Sequence, residues 1–229
     1  MFLSGLLAIT ALLSPGKGGA AQPLPLVVMA PAAPSTGTLA ILLTGDGGWS
    51  KVDRAIADRL VADGNGVVGL NSLHYFAHKR TSTGLASDVS AIARESCQRW
   101  SCQRIVLIGY SMGADVLPFV INQLGDDVRS KLVQLNLVSL GHEAVFKFYP
   151  TAWMGMTVGQ KFATLPQLAL VKNLDIFCVY GTTDSDPACK DVPNATVLSL
   201  PTGHTMSKVA DDLAGIMAAR VKKVEALTK

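Results

Sequence analysis

The sequence predicts an α/β fold, a mainly parallel sheet with helices on both faces, and three observations predict it. Strand-like and helix-like patterns alternate from Thr38 to the final helix, the order that builds parallel sheets through crossover connections. Hydrophobic residues make up 49% of the chain and charged residues 16%, a balance that suits strands covered on both faces. The stretch Arg104 to Pro118, RIVLIGYSMGADVLP, breaks an apolar run at Gly109-Tyr110-Ser111-Met112-Gly113 and resumes as a helical pattern. A strand running through Gly-x-Ser-x-Gly into a helix is a sharp turn that lifts a hydroxyl clear of the sheet. Glycine on either side of Ser111 lets the strand and helix approach closely.

The 229 residues suffice for one substantial core. Residues 1–21 are expected to lie outside it as a signal peptide or N-terminal anchor, and residues 22–229 to form a single domain. Phe2 to Leu13 is an apolar block too short to span a bilayer. Small residues at Gly19 and Ala21 permit cleavage before Gln22, as in a signal peptide; the lack of Lys or Arg ahead of the block makes its n-region atypical, and an uncleaved anchor is the alternative. Either way the expected location is periplasmic. Four cysteines fit an oxidising compartment and allow three pairings. Their neighbourhoods suggest Cys97 with Cys102 and Cys178 with Cys189. No spacing is Cys-x-x-Cys and the histidines lie elsewhere, so neither zinc nor another cofactor is expected. A net charge of +3 with scattered basic residues is no nucleic-acid footprint, although it is compatible with peripheral contact at an anionic membrane.

Taken in order, Leu24 to Val28 and Thr38 to Leu43 read as strands separated by a Pro/Ser/Gly turn. The second runs into Thr44-Gly45-Asp46-Gly47-Gly48-Trp49, where glycine allows main chain to approach a substrate carbonyl. Ser50 and Asp53 match a capping box, and Ile56, Leu60 and Val61 give the stripe of a helix that Gly64-Asn65-Gly66 stops. Val67 to Leu70 is the next strand, and Asn71 to Phe76 an aromatic loop. A helix from Ser87 to Arg99, the strand Ile105 to Ile108, a helix from Met112 to Leu124 and a strand from Leu132 to Leu140 follow. Ala144 to Trp153 alternates aromatics as a wall segment. Ile176 to Tyr180 and Ala195 to Leu200 are the last strands, and Val209, Leu213, Ile216, Met217 and Val221 mark a closing helix.

Chemistry-bearing residues fall at strand ends. Ser111 is followed by an acid after the strand ending at Tyr180, and by His204 after the last strand. Serine, acid, histidine is the chain order of an α/β-hydrolase. Without a long insertion between strands, little or no lid is expected. Ser111 is the expected nucleophile and His204 the general base. Two aspartates compete for the acid: Asp184 has a Gly-x-x-Asp spacing from Gly181, while Asp186 opens Asp-Pro-Ala-Cys, and the latter form favours Asp186. The N–H groups of Met112 and of Gly45 and Asp46 are expected to hold an oxyanion. Asp46 and Asp115 flank that machinery and would attract a cationic acyl group, and Tyr75 is expected as a substrate contact. Each carboxylate also has a plain structural reading, Asp46 in a turn and Asp115 in the first turn of a helix.

Gly45-Asp46-Gly47-Gly48-Trp49, Ser72-Leu73-x-Tyr75-Phe76, the long motif Gly109 to Pro118 and Gly203-His204 together resemble the VirJ family of bacterial virulence proteins, whose AcvB relatives share the domain. The resemblance runs from about Thr38 to the final helix. It implies a periplasmic α/β-hydrolase linked to type IV secretion. For AcvB-like members it implies hydrolysis of lysyl-phosphatidylglycerol. The chain departs from the family pattern at His74, Met112 and Thr205, none of them a triad position. A lipid or small ester is therefore the expected substrate, with type IV secretion components as further partners. A noncatalytic binding or assembly factor, and a general carboxylesterase or lysophospholipase, are the competing readings.

Overall fold

The computed structural model describes residues 23–150 and 159–227. The expected leader, and Trp153 at the end of the aromatic wall stretch, lie outside them. The elements are β1 (Leu26–Met29), β2 (Thr38–Leu43), α1 (Lys51–Ala62), β3 (Gly66–Leu70), α2 (Ser72–Tyr75), α3 (Ser82–Trp100), β4 (Arg104–Tyr110), α4 (Met112–Ile121), α5 (Asp126–Arg129), β5 (Leu132–Val138), β6 (Glu143–Ala144), β7 (Phe162–Ala163), α6 (Thr164–Ala169), β8 (Asp175–Gly181), β9 (Thr196–Leu200) and α7 (Ala210–Leu227). Short 3₁₀ turns at Ala188–Asp191 and Ser207–Val209 follow β8 and precede α7.

Seven strands form one sheet in the order β1-β3-β2-β4-β5-β8-β9, and β6 and β7 form a separate ribbon. Only β1 runs antiparallel in the large sheet, pairing Leu26 with Leu70 on β3. The remaining neighbours are parallel, so β2, β4, β5, β8 and β9 all deliver their C-terminal ends to the same edge. Strand order reverses between β2 and β4, and open α/β sheets bind ligands in the crevice outside such a reversal.

Side-chain alternation sorts the apolar residues into two cores. Leu39, Ile41 and Leu43 of β2, with Ile105 and Leu107 of β4, face α3 and α4. Ala40 and Leu42, with Val106 and Ile108, face α1 and α7 through Ile56, Leu60, Leu213 and Met217. Every residue of β2 is buried, because both of its faces are covered. Each fully buried Leu or Ile side chain contributes about 1.5–3 kcal/mol through the area it removes from water.

Local chemistry sets the helix starts. The Asp53 carboxylate accepts from the Ser50 N–H at 2.9 Å and from its hydroxyl at 2.5 Å, fixing the entry to α1. Helix α3 begins at Ser82, five residues ahead of the expected Ser87, because the Thr81 hydroxyl accepts the Gly84 N–H at 3.0 Å. The cap offsets the poor helix propensity of Ser, Thr and Gly in its first turn. The aromatic loop expected at 71–76 contains a turn of helix, α2, whose Asn71 side chain accepts from the His74 N–H. Helix α4 ends at Ile121, three residues before the expected Leu124.

The cysteines pair as Cys97–Cys102 and Cys178–Cys189. The first joins the last turn of α3 to the approach to β4, and the second ties the middle of β8 to the 3₁₀ turn that follows it.

Candidate active site

Ser111 sits between β4 and α4 at φ +50° and ψ −118°, outside the regions open to an unstrained L-residue. Two glycines make that turn sterically available. A Cβ on Gly109 would lie 2.6 Å from the main chain of Ala114, and one on Gly113 would lie 2.1 Å from the Leu43 carbonyl oxygen. Without side chains at both positions, α4 starts directly against β4 and β2. The Ser111 N–H donates to the Val138 carbonyl on β5 at 2.9 Å, and its carbonyl accepts the Asp115 N–H at 3.0 Å. The hydroxyl is left at the sheet edge.

His204 meets it there. Ser111 Oγ and His204 Nε2 are 2.9 Å apart, and His204 Nδ1 is 2.9 Å from Asp184 Oδ2. Opposite a carboxylate, which only accepts, Nδ1 carries the hydrogen and Nε2 is free to accept from the serine hydroxyl. The Asp184 side chain is 11% exposed and that of His204 47%, so the carboxylate is sheltered and the imidazole half exposed.

Asp186, the acid favoured by the sequence, is not the partner of His204. Its side chain is 84% exposed and pairs with His142 Nε2 at 3.2 Å. Gly181 is the reason. A Cβ there would lie 2.4 Å from the carbonyl oxygens of Thr202 and Gly203, so glycine lets the chain leaving β9 pass against the end of β8. Thr183 follows that path, donating its N–H and its hydroxyl to the Thr202 carbonyl, each at 3.0 Å. The Asp184 N–H closes a turn on the Gly181 carbonyl at 2.9 Å, which leaves Asp184, three residues from the crossing, level with the imidazole. The deciding signal was the Gly-x-x-Asp spacing.

Two residues that sequence reasoning missed hold the histidine loop. The Ser139 hydroxyl donates to the His204 carbonyl at 2.8 Å, and the Tyr110 hydroxyl donates to the Thr205 carbonyl at 2.6 Å. Ser139, the residue after β5, has φ +54°, a second bent serine at the same sheet edge. Tyr110 is legible in the sequence only as a member of the elbow motif.

The expected oxyanion donors flank the hydroxyl. Met112 is the first residue of α4, where backbone N–H groups have no carbonyl partner within the helix. Gly45 runs alongside, with a built Cβ 3.4 Å from Ser111 Cβ. Asp46, Asp115 and Ser111 line one pocket of about 210 Å³ together with Glu143, Lys147 and Lys161. Asp115 Oδ1 accepts the Gly141 N–H at 2.7 Å. Burial pushes its carboxyl up to about 8, against the Gly141 hydrogen bond, with a smaller upward push from Asp46. Glu143 is held by Lys161 at 2.6 Å.

Tyr75, expected to touch substrate, belongs to the core instead. It is 1% exposed and its hydroxyl donates to Asp88 Oδ2 at 2.5 Å. Helix α2 turns its ring inward, edge-on to Phe76 at 5.0 Å. Among the described residues, no three His, Cys, Asp or Glu side chains converge as metal ligands, and no helix is long and apolar enough to cross a membrane.

The family described as bacterial virulence protein (VirJ) matches residues 37–225. The chain belongs to the VirJ family. A comparison with curated proteins finds no match for this VirJ-family chain. Among solved structures it is similar to Est1E from Butyrivibrio proteoclasticus, at 15% identity and a TM-score of 0.68 over 94% of this chain and 99% of that one. An alpha-beta serine hydrolase homologue from Coxiella burnetii aligns at 18% identity and a TM-score of 0.63 over 95% and 100% of the two chains. Proline iminopeptidase from Mycobacterium smegmatis aligns at 13% identity and a TM-score of 0.63 over 89% and 96%. At these identities the likeness shows the fold, which is that of an α/β-hydrolase.

Proposed function

We propose that this VirJ-family protein is an exported serine hydrolase that cleaves an ester, and that its substrate is lysyl-phosphatidylglycerol. The observation that carries the reading is the pair of 2.9 Å contacts joining Ser111, His204 and Asp184 at a strained elbow. Ser111 Oγ attacks the lysyl carbonyl carbon while His204 Nε2 takes its proton, and the N–H groups of Met112 and Gly45 receive the oxyanion. Collapse breaks the bond to the lipid glycerol oxygen, which leaves with the proton from His204. Water, deprotonated in turn by His204, cleaves the lysyl-serine ester. The products are lysine and phosphatidylglycerol.

The lysyl half is supported by two acidic side chains within the serine pocket. One ammonium group of a lysyl ester meets the Asp46 carboxylate beside the nucleophile, and Asp115, whose carboxyl burial pushes up to about 8, offers the other a hydrogen-bond acceptor. The two disulfides suit an oxidising location outside the cytoplasm.

Incubating the purified protein with lysyl-phosphatidylglycerol in mixed micelles tests the assignment. Release of free lysine by the parent and none by Ser111→Ala is the expected result. Turnover of uncharged acyl esters with no release of lysine makes it a general carboxylesterase. A protein that also fails to react with a serine-directed fluorophosphonate is a noncatalytic binding factor.

A further inference from the structure

A second pocket, of about 300 Å³, adjoins the one that holds Ser111, and Val145, Lys147 and Tyr149 line both. The charged groups differ across that shared wall. The serine side carries Asp46, Asp115 and the Glu143–Lys161 ion pair, with Lys147 shared between the two. On the far side no carboxylate is among the described lining residues, and the rim holds Lys79, Arg80 and Lys147.

Among the described residues none of those three cations is paired with a carboxylate. Arg80 is nevertheless fixed. Its Nε donates to the Tyr75 carbonyl at 3.1 Å, and its guanidinium lies 4.4 Å from the centre of the Tyr75 ring. The Lys147 ammonium lies 4.9 Å from the centre of the Tyr149 ring. Contact with a ring face leaves a cation its charge and its outward hydrogens. The first turn of α3, at Ser82, adds the positive end of a helix dipole to the same rim.

Beneath the rim the floor is aromatic. Phe119, Phe146 and Phe162 stand edge to face, with centroids 5.5 Å, 5.7 Å and 6.1 Å apart. Apolar rings under a cationic rim suit a ligand that joins an anion to a hydrocarbon chain.

We propose that this second pocket is the subsite for the anionic and apolar half of a glycerophospholipid, with the phosphodiester at Lys79, Arg80 and Lys147 and one acyl chain along Phe119, Phe146 and Phe162. The assignment rests on the reading of the protein as a lipid ester hydrolase and gives that substrate a direction. The cationic acyl group lies on the carboxylate side, the scissile ester at Ser111, and the phosphate just beyond the shared wall. Lys147, which lines both pockets, stands where ester and phosphate are separated by a single glycerol.

The test is equilibrium binding of dihexanoyl phosphatidylglycerol, below its micelle concentration, to Ser111→Ala protein by calorimetry. Saturable binding is expected, weakened about tenfold when Lys79→Gln and Lys147→Gln are combined, as removal of two exposed charge contacts implies. It is also expected to weaken with added salt and to be at least severalfold weaker for dihexanoyl phosphatidylcholine. Absence of saturable binding, or affinity unchanged by the double substitution in a protein that melts like its parent, overturns the subsite. The ligand has no lysyl ester and the protein no nucleophile, so hydrolytic activity plays no part in the readout. Failure here alongside release of lysine by the parent enzyme removes the subsite alone; binding without any hydrolysis removes the enzymatic reading and leaves a lipid pocket.

Discussion

Ser111 and His204 reach the same 2.9 Å contact by different means. Around Ser111 the restraint is main chain against main chain: Gly113 on the carbonyl of Leu43, Gly109 on Ala114, with no room for a methyl group at either place. Around His204 the restraint is a set of hydrogen bonds from side chains, contributed by Ser139, Tyr110 and Thr183. The proposed nucleophile is thus positioned by the packing of the fold, and the proposed base by groups that can be removed singly without unmaking a layer. Damage near Ser111 should register first as lost folding, and damage near His204 as lost turnover.

The largest effects separate backbone from hydroxyl at the elbow. Gly113→Ala is expected to cost more than about 4 kcal/mol, through a steric conflict that only displacement of α4 or β2 relieves, so thermal melting should show little native protein. Ser111→Ala should keep a native melt while lysine release falls by about 10³-fold or more. An active Ser111→Ala protein would break the comparison at its centre. Next comes the acid. Asp184→Asn replaces the carboxylate facing Nδ1 by an amide that can stabilise the wrong tautomer and should lower kcat by about 10²- to 10⁴-fold, whereas Asp186→Asn should change it by less than about threefold, since that side chain is exposed and meets His142 rather than His204. Steady-state kinetics on both variants decides between the aspartates.

Smaller effects sharpen the contrast. Ser139→Ala or Tyr110→Phe deletes one tie to the histidine loop, for a cost of about 1 kcal/mol in stability and about a tenfold fall in kcat with KM nearly unchanged. Equal losses in a melt and in kcat would mean that the loop is as structural as the elbow. Asp115 provides the pH test. Its folded value, about 8, lies above the ordinary 3.8, so between those limits the folded protein holds a proton that the unfolded chain releases. This carboxyl's stabilising contribution is therefore full below about pH 4 and is lost as the pH rises through about 8. Asp115→Asn should flatten that slope, raising the melting temperature relative to the parent by a few degrees at pH 8.5 and leaving it unchanged at pH 4.

Much of this was legible because the deciding forces are local. The unbroken apolar run from Leu39 to Leu43 marks β2, Ser50 and Asp53 mark the start of α1, and the glycines around Ser111 mark a bend whether or not the neighbours are known. The disulfide partners lie close in sequence. What escaped depends on relations through space. Asp184 is set apart from Asp186 by what crosses Gly181, and Ser139 gains a role only when β5 ends beside β9's loop. Tyr75 looks like a loop aromatic until Asp88, thirteen residues on, offers its hydroxyl a buried acceptor. The two-residue strands β6 and β7 are too short to carry any periodicity; of them only Ala144 falls in the aromatic stretch Ala144 to Trp153.

The hydrogen bond from Tyr110 to the Thr205 carbonyl has a bearing on how such a protein diversifies. The residue immediately before Ser111 grips the strand-exit segment that brings the His204 imidazole, so one brace ties together both partners of the proposed proton transfer. None of the braces on Ser111, Asp184 or His204 comes from Val145, Lys147 or Tyr149, the side chains that partition the cleft. Substitutions in that partition can therefore reshape the cleft while the contacts that align Ser111, His204 and Asp184 stay in place.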